Sequence, residues 1–325
     1  MGPKSNPYLF IVGCQRSGTG LLRRIIEAHP SIAMTRETHW IPSWFEKRKG
    51  VTPEGLITPE LVTLLLAYPR FIRLEISGKE LQGLITPGEP VSYSSFITGI
   101  FDLYGKAQGK TLVGDKDPRY VRNVSTLHAL FPKARFIHLI RDGRDVCLSF
   151  INWRKTRSKT IGHKISTWNQ HPVATAALWW KWHVQLGLEA RSLLGPELYY
   201  EIRYESLVAN PGAECEKLCA FLDVPYDDAM LRFHEGRTRN VSGPIANEPC
   251  LPITPGLRDW KSQMPAEHIE QFEAAAGDLL DELGYERACP CPRLKIQKQA
   301  TGIRDLFTRE ARSITYQPPE HAEII

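Results

Sequence analysis

The stretch Tyr8-Leu9-Phe10-Ile11-Val12-Gly13-Cys14-Gln15-Arg16-Ser17-Gly18-Thr19-Gly20-Leu21-Leu22-Arg23-Arg24-Ile25-Ile26 decides how this chain folds. Apolar residues in succession predict a buried strand, and the apolar pairs after the glycines recur at helical spacing. Strand, glycine-rich turn and helix N-terminus together aim backbone N–H groups and the positive end of a helix dipole at one point. Such an arrangement binds an anion of the phosphate kind. The spacing from Gly13 to Gly18 matches the opening of a nucleotide P-loop, but Thr19-Gly20 stands where that motif carries Lys and Ser/Thr. The lysine that reaches terminal phosphates and the hydroxyl that holds Mg²⁺ are therefore both missing. Arg16 sits inside the loop instead, where its planar fork suits a dianion or a transferring group.

Outward from this loop, short β-like runs alternate with helical patterns, the signature of a parallel sheet with crossover helices. Strands are predicted at 8–12, 111–113, 135–140 and 198–202, with a weaker one near 32–34. Helices are predicted at 20–28, 121–131, 145–153, 174–194, 212–222 and 265–283. The fold class is thus α/β, a P-loop NTPase-like architecture with a central parallel sheet of about five strands flanked by helices. Residues 40–110 break this alternation with apolar helical stretches at 61–66 and 96–104. They predict a helical insertion over the carboxyl edge of the sheet, on the acceptor side of the site. A catalytic domain spans 1–290 and a tail 291–325, which packs on the domain, reaches a partner or stays disordered. Residues 238–254 are rich in glycine and proline and are expected to form an ordered flap.

Composition narrows the classes. The 325 residues carry 41 Lys and Arg against 36 Asp and Glu, a formal charge of +5 that falls short of a nucleic-acid-binding stripe. No run of 18 apolar residues predicts a membrane span. The apolar run at 8–12 is too short for a signal-peptide core, so a soluble, cytoplasmic protein is expected. Seven scattered cysteines in a chain with ample core argue against a disulfide framework. Cys289-Pro290-Cys291 reads as a surface turn, and Cys147 and Cys215 as small buried hydrophobes. No metal site is expected, and a homodimer is allowed for.

A second anion site is predicted after Phe136-Ile137-His138-Leu139-Ile140, a nearly continuous apolar strand that ends in Arg141-Asp142-Gly143-Arg144-Asp145. Arg141 falls at the ligand edge of the sheet, and Ser149 follows eight residues later, within reach of the same anion. Pairing of Arg141 with Asp142 or Asp145 is the plainer alternative. Asp142 gives the strand a Walker B look, yet the missing lysine and Mg²⁺ hydroxyl speak against a triphosphatase. An anion loop with no magnesium ligand points to a transferred group of less charge than phosphoryl. A sulfuryl group carries one unit less, and side-chain cations suffice for it.

The pair of motifs, Gly13-x-x-Arg16-Ser17-Gly18-Thr19-x-Leu21-Leu22 and then Arg141 to Ser149, resembles the sulfotransferase superfamily. Glu27-Ala28-His29-Pro30, Arg36-Glu37-Thr38-His39-Trp40-Ile41-Pro42, Asp115-Lys116-Asp117-Pro118 and Arg203-Tyr204-Glu205-Ser206-Leu207 resemble its tyrosylprotein branch. The resemblance implies 3′-phosphoadenosine 5′-phosphosulfate (PAPS) as co-substrate, its 5′-phosphosulfate held by Arg16, Ser17, Gly18, Thr19, Gly20 and Leu21. It gives Arg141 and Ser149 the 3′-phosphate and Tyr204 a nucleotide contact. It makes Glu37 the general base, with Arg16 and Lys116 stabilising in-line transfer to a hydroxyl or phenol. The acceptor classes it admits are a tyrosine peptide, a carbohydrate, a lipid or a small metabolite. His39 replaces the family's substrate-facing arginine, and the late cofactor-loop lysine has no counterpart around 250–254, leaving Ser242 or the 258–261 segment to substitute.

Residue chemistry bears on the same candidates. Cations Arg16 and Lys116 near Glu37 are expected to keep it ionised. His29 reads as helix-terminal and structural, and His39 as a lining residue of the acceptor pocket, both ranked below Glu37. Trp179 and Trp182, at helical spacing with Leu178 and Leu186, read as core rather than as a stacking platform for a sugar or base. Two rival functions stay open at this point. One is a kinase or nucleotide triphosphatase with a degenerate P-loop, and the other a non-catalytic nucleotide-binding module.

Overall fold

The computed structural model describes residues 8–154, 165–235, 252–254 and 259–314. The predicted flap at 238–254 therefore lies almost wholly outside the described residues. Five parallel strands, β1 (Leu9–Gly13), β2 (Ile32–Arg36), β3 (Leu112–Lys116), β4 (Arg135–Ile140) and β5 (Tyr199–Arg203), lie in the order β2-β3-β1-β4-β5. Every residue of β1 is buried, as a strand covered on both faces requires. Successive side chains point to opposite faces. Phe10 and Val12 join the cluster that holds Phe101, Phe131 and Phe136, with the Phe10 and Phe136 rings stacked at 5.4 Å. Leu9 and Ile11 face the other way, onto Leu22, Ile25 and Ile26 of helix Thr19–Ala28.

Two elements differ from expectation. β3 runs past residue 113 to Lys116, through Gly-Asp-Lys, residues poor in strand propensity. Its pairing with β1 overrides that propensity: a Cβ on Gly114 would come within 2.5 Å of the Leu9 side chain, so only glycine lets these strands approach. The helix expected at 121–131 divides into a 3₁₀ turn, Pro118–Asn123, and an α-helix, Val124–Leu130. Asp117 starts the turn by accepting the Arg119 N–H at 3.1 Å.

The insertion contains helices Ile41–Glu46, Pro59–Leu66, Pro69–Ile72, Gly78–Gln82 and Tyr93–Ala107. Its longest helix covers the face of the sheet rather than its edge, packing Phe101 on Tyr8 and Phe10. Only the segments around Ile41 and Arg70 reach the carboxyl edge, where the Ile41 N–H and the Arg70 guanidinium make contacts.

On the same face of the sheet, helices Gly143–Arg154, Pro172–Leu194 and Ala266–Glu282 share a core with Leu294–Ile314. Ala300, Ile303, Phe307 and Ala311 are buried there, so this part of the tail packs on the domain. Arg293 reinforces it through a 2.6 Å pair with Glu270. Residues 315–325 lie outside the described residues. Among the described residues, no helix is long and apolar enough to cross a membrane.

Candidate functional site

All five strands point their carboxyl ends the same way, and register brings the candidate residues to one edge. Gly13 lies beside Leu139, Arg36 beside Lys116, and Ile140 beside Arg203. The residues that follow each strand, rather than the strands themselves, make the site.

After β1 the backbone turns sharply. Arg16 has φ of 73° and Gly18 φ of 103°, both in the left-handed region, and Thr19 begins the helix. The Leu21 N–H already donates to the Gly18 carbonyl at 2.9 Å, which leaves the N–H groups of Thr19 and Gly20 without an intrahelical acceptor at the loop. Gly18 is required twice over: its φ favours glycine, and a Cβ would lie 2.5 Å from the Tyr204 ring. Ser17 is buried, and its hydroxyl has no hydrogen-bond partner among the described residues. A buried hydroxyl left without a partner costs free energy unless a ligand satisfies it. Arg16 Nε donates to Ser149 Oγ at 3.0 Å, joining the first loop to the helix after β4.

The second corner forms after β4. Arg141 pairs with Asp145 at 2.9 Å, the plainer of the two expected arrangements, and its guanidinium lies 4.1 Å above the centre of the Tyr204 ring. Ser149 thus contacts Arg16 rather than Arg141, while Tyr204 touches both anion loops, Gly18 on one side and Arg141 on the other. Beneath Arg141 runs a fully buried ionic network. Arg144 binds Asp142 at 2.8 Å and Glu273 at 2.7 Å and stacks 3.6 Å from the centre of Trp260. Glu205 accepts the Asp142 N–H at 2.8 Å. Asp145 accepts the Trp260 N–H at 2.9 Å.

The third corner lies at β2 and β3. The Glu37 N–H donates to the Lys116 carbonyl at 3.0 Å, carrying the sheet one residue beyond β2. Lys116 Nζ then donates to Glu37 Oε1 at 2.5 Å. His39 Nε2 lies 3.5 Å from Glu37 Oε2 and 3.6 Å from Asp117 Oδ2. Burial pushes the Glu37 carboxyl up, but hydrogen bonding to His39 and the Lys116 charge prevail and hold it well below the usual carboxylate range. Glu37 is therefore ionised at neutral pH. Glu37 and His39 both have left-handed backbones, φ 31° and 66°. Conformations so sparsely populated by non-glycine residues persist only where surrounding structure imposes them. Here Thr38 imposes them: its hydroxyl donates to buried Asp115 at 2.5 Å and takes a 2.6 Å bond from Tyr120.

The structure thus brings Glu37 to Lys116, Arg16 to Ser149, and Tyr204 to both Arg141 and Gly18. Sequence reasoning missed Arg70, which donates to the Glu37 carbonyl at 2.9 Å from the insertion and carries no motif. It also missed what the tryptophans do besides filling core. Trp180 Nε1 donates to the Arg141 carbonyl at 3.0 Å, and Trp179 Nε1 to Gln15 at 3.1 Å, so one helix anchors both anion loops. The indole N–H groups, which need partners when buried, were the available signal. His29 is structural, bonding the Pro225 carbonyl at 2.8 Å. Cys147 and Cys215 are buried and free. Ser242 and Arg258 lie outside the described residues.

The family model described as the sulfotransferase family matches residues 7–228. The chain belongs to the sulfotransferase family. This sulfotransferase is 26% identical over 290 residues to protein-tyrosine sulfotransferase A of Caenorhabditis elegans, covering 87% of this chain and 68% of that protein. It is 26% identical over 299 residues to protein-tyrosine sulfotransferase 1 of Homo sapiens, covering 87% and 70% respectively. Its fold is shared with the sulfotransferase domain from the curacin biosynthetic pathway at TM-score 0.57 and 23% identity, over 86% of this chain and 98% of that one.

Proposed function

We propose that this sulfotransferase moves the sulfuryl group of PAPS to a hydroxyl or phenol, with Glu37 as general base. The observation that carries the reading is the short Lys116–Glu37 pair at the edge where the Arg16 loop and the Arg141 corner also open. The donor's two anionic ends match this layout. The unpartnered Ser17 hydroxyl and the N–H groups of residues 18–20 suit the phosphosulfate, and Arg141 with Tyr204 suits the 3′-phosphate end. Ser149, released from Arg16, adds a hydroxyl there.

When bound, the donor supplies the sulfuryl group and leaves as adenosine 3′,5′-bisphosphate (PAP). Glu37 takes the acceptor proton, a contribution of about 10²–10⁴-fold in general base catalysis. Lys116 turns from Glu37 to the charge developing on the leaving phosphate, which both stabilises departure and frees Glu37 Oε1 for the acceptor proton. Arg16 supports the transferring group. No residue here serves as a covalent nucleophile in this scheme, and no divalent ion is needed.

The names of its relatives put the phenol of a tyrosine peptide first among acceptors, ahead of carbohydrate, lipid and small-metabolite hydroxyls. The free cysteines among the described residues, four of them buried, support a reducing, cytoplasmic setting. The decisive experiment is calorimetry with PAP in EDTA, followed by labelled-sulfate transfer from PAPS to those four acceptor classes. PAP heat without metal and transfer to one class is the expected result. Mg²⁺-dependent ATP binding without PAP heat would replace it with the kinase or triphosphatase reading.

A further inference from the structure

We propose that His39 is a positioning residue that makes transfer pH-sensitive: protonation of its imidazole, rather than of Glu37, shuts off the reaction as pH falls. This rests on the function proposed above for Glu37. Thr38 turns inward to Asp115 and Tyr120, and its two neighbours, both left-handed, meet on the outer side. His39 Nε2 is thereby placed between two carboxylates, Glu37 Oε2 at 3.5 Å and Asp117 Oδ2 at 3.6 Å. A neutral imidazole offers one N–H to that gap and steadies Glu37 while leaving its negative charge available. An imidazolium adds a full positive charge at the same distance, which lowers the basicity of the carboxylate that must accept the acceptor's proton.

The surroundings keep His39 neutral near pH 7. Arg119 already holds Asp117 through two bonds, at 3.1 and 2.9 Å, so that carboxylate is largely compensated. Arg70 faces the pair from the insertion, 3.6 Å from Glu37 Oε2, and Lys116 from β3, bonded to Glu37 Oε1. Burial, with the charges of Arg119 and Arg70, outweighs the two carboxylates and lowers the imidazole below its ordinary 6.5. The other group that titrates nearby is Asp115, behind Thr38, which burial and the Asp117 charge push up to about 6. Glu37 itself stays ionised far below either.

The test is the pH dependence of kcat from pH 4.5 to 8, with saturating PAPS and a tyrosine peptide, in wild type, His39→Gln, His39→Ala and Asp115→Asn. PAP calorimetry and intrinsic fluorescence at each pH certify folding. Wild-type kcat should fall about tenfold per pH unit below the imidazole pKa. His39→Gln, which keeps an N–H donor, should turn over severalfold more slowly at pH 7.5 with a flat acid side. His39→Ala, which keeps none, should be slower still across the range. In parallel, the His39 imidazole signal, assigned by its loss in His39→Gln, should titrate below 6.5 and move lower in Asp117→Asn. An acid limb that persists in His39→Gln and vanishes in Asp115→Asn overturns the proposal. So does a His39 signal titrating at or above 6.5, whether or not an acceptor turns over. Loss of PAP heat in the wild type would instead remove the functional reading itself.

Discussion

Two corners of the same sheet edge are built on opposite terms. Around Arg141 the backbone is regular and every buried charge has a partner: Arg144 meets Asp142 and Glu273, and Glu205 and Asp145 take up backbone N–H groups. Around Glu37 the backbone is left-handed at two of three successive residues, and one histidine nitrogen lies between two carboxylates. Three of the seven non-glycine residues with positive φ among the described residues, Arg16, Glu37 and His39, fall at this edge. The difference separates holding from reacting. A corner that only grips a nucleotide gains from rigidity, whereas a corner that passes a proton needs groups whose partners can change during the reaction.

Substitutions should respect that division. Glu37→Gln should lower kcat by about 10²–10⁴-fold. PAP affinity should stay within about twofold, as measured by calorimetry, because the acid touches neither anion loop. Arg144→Ala should act on the other corner through folding. It leaves Glu273 and Asp142 buried without their cation, a loss of about 3–5 kcal/mol in chemical denaturation. If Glu37→Gln instead unfolded the protein while Arg144→Ala only slowed it, the contrast would be reversed.

Sequence alone made the first corner and the fold legible, for reasons tied to particular residues. β1 is apolar throughout and β4 nearly so, broken by Arg135 and His138, and both strands are buried on both faces, so composition marked them. The Gly13–Gly20 loop could be read because Gly13 and Gly18 answer backbone needs that no other residue meets. β3 was half hidden, since Gly114, Asp115 and Lys116 are strand residues only because β1 and β2 flank them. Arg70 was hidden altogether, and the tryptophan anchors showed only as indole N–H groups in need of partners. Their partners lie 33, 39 and 164 residues away in the chain, and no local pattern records such a distance.

Two smaller effects sharpen the comparison. Arg141→Ala should weaken PAP binding about 10–100-fold, the range expected for a lost charged hydrogen bond, and leave adenosine 5′-phosphosulfate nearly unaffected. Equal losses for the two nucleotides would detach Arg141 from the 3′-phosphate. Trp180→Phe replaces the buried indole with a smaller phenyl ring, which removes the hydrogen bond to the Arg141 carbonyl and leaves a cavity. It should cost about 2 kcal/mol of stability, seen as a shifted urea midpoint, with kcat preserved.

The tail helix extends the same logic to the limits of the molecule. The family match stops at residue 228, yet Trp180, which secures Arg141, is covered by Phe272, and the layer outside that is closed by Ile303 and Phe307. What the family model recognises is therefore shorter than what must fold together. A fragment trimmed to the matched boundary would keep every signature motif and strip the floor from beneath one of them.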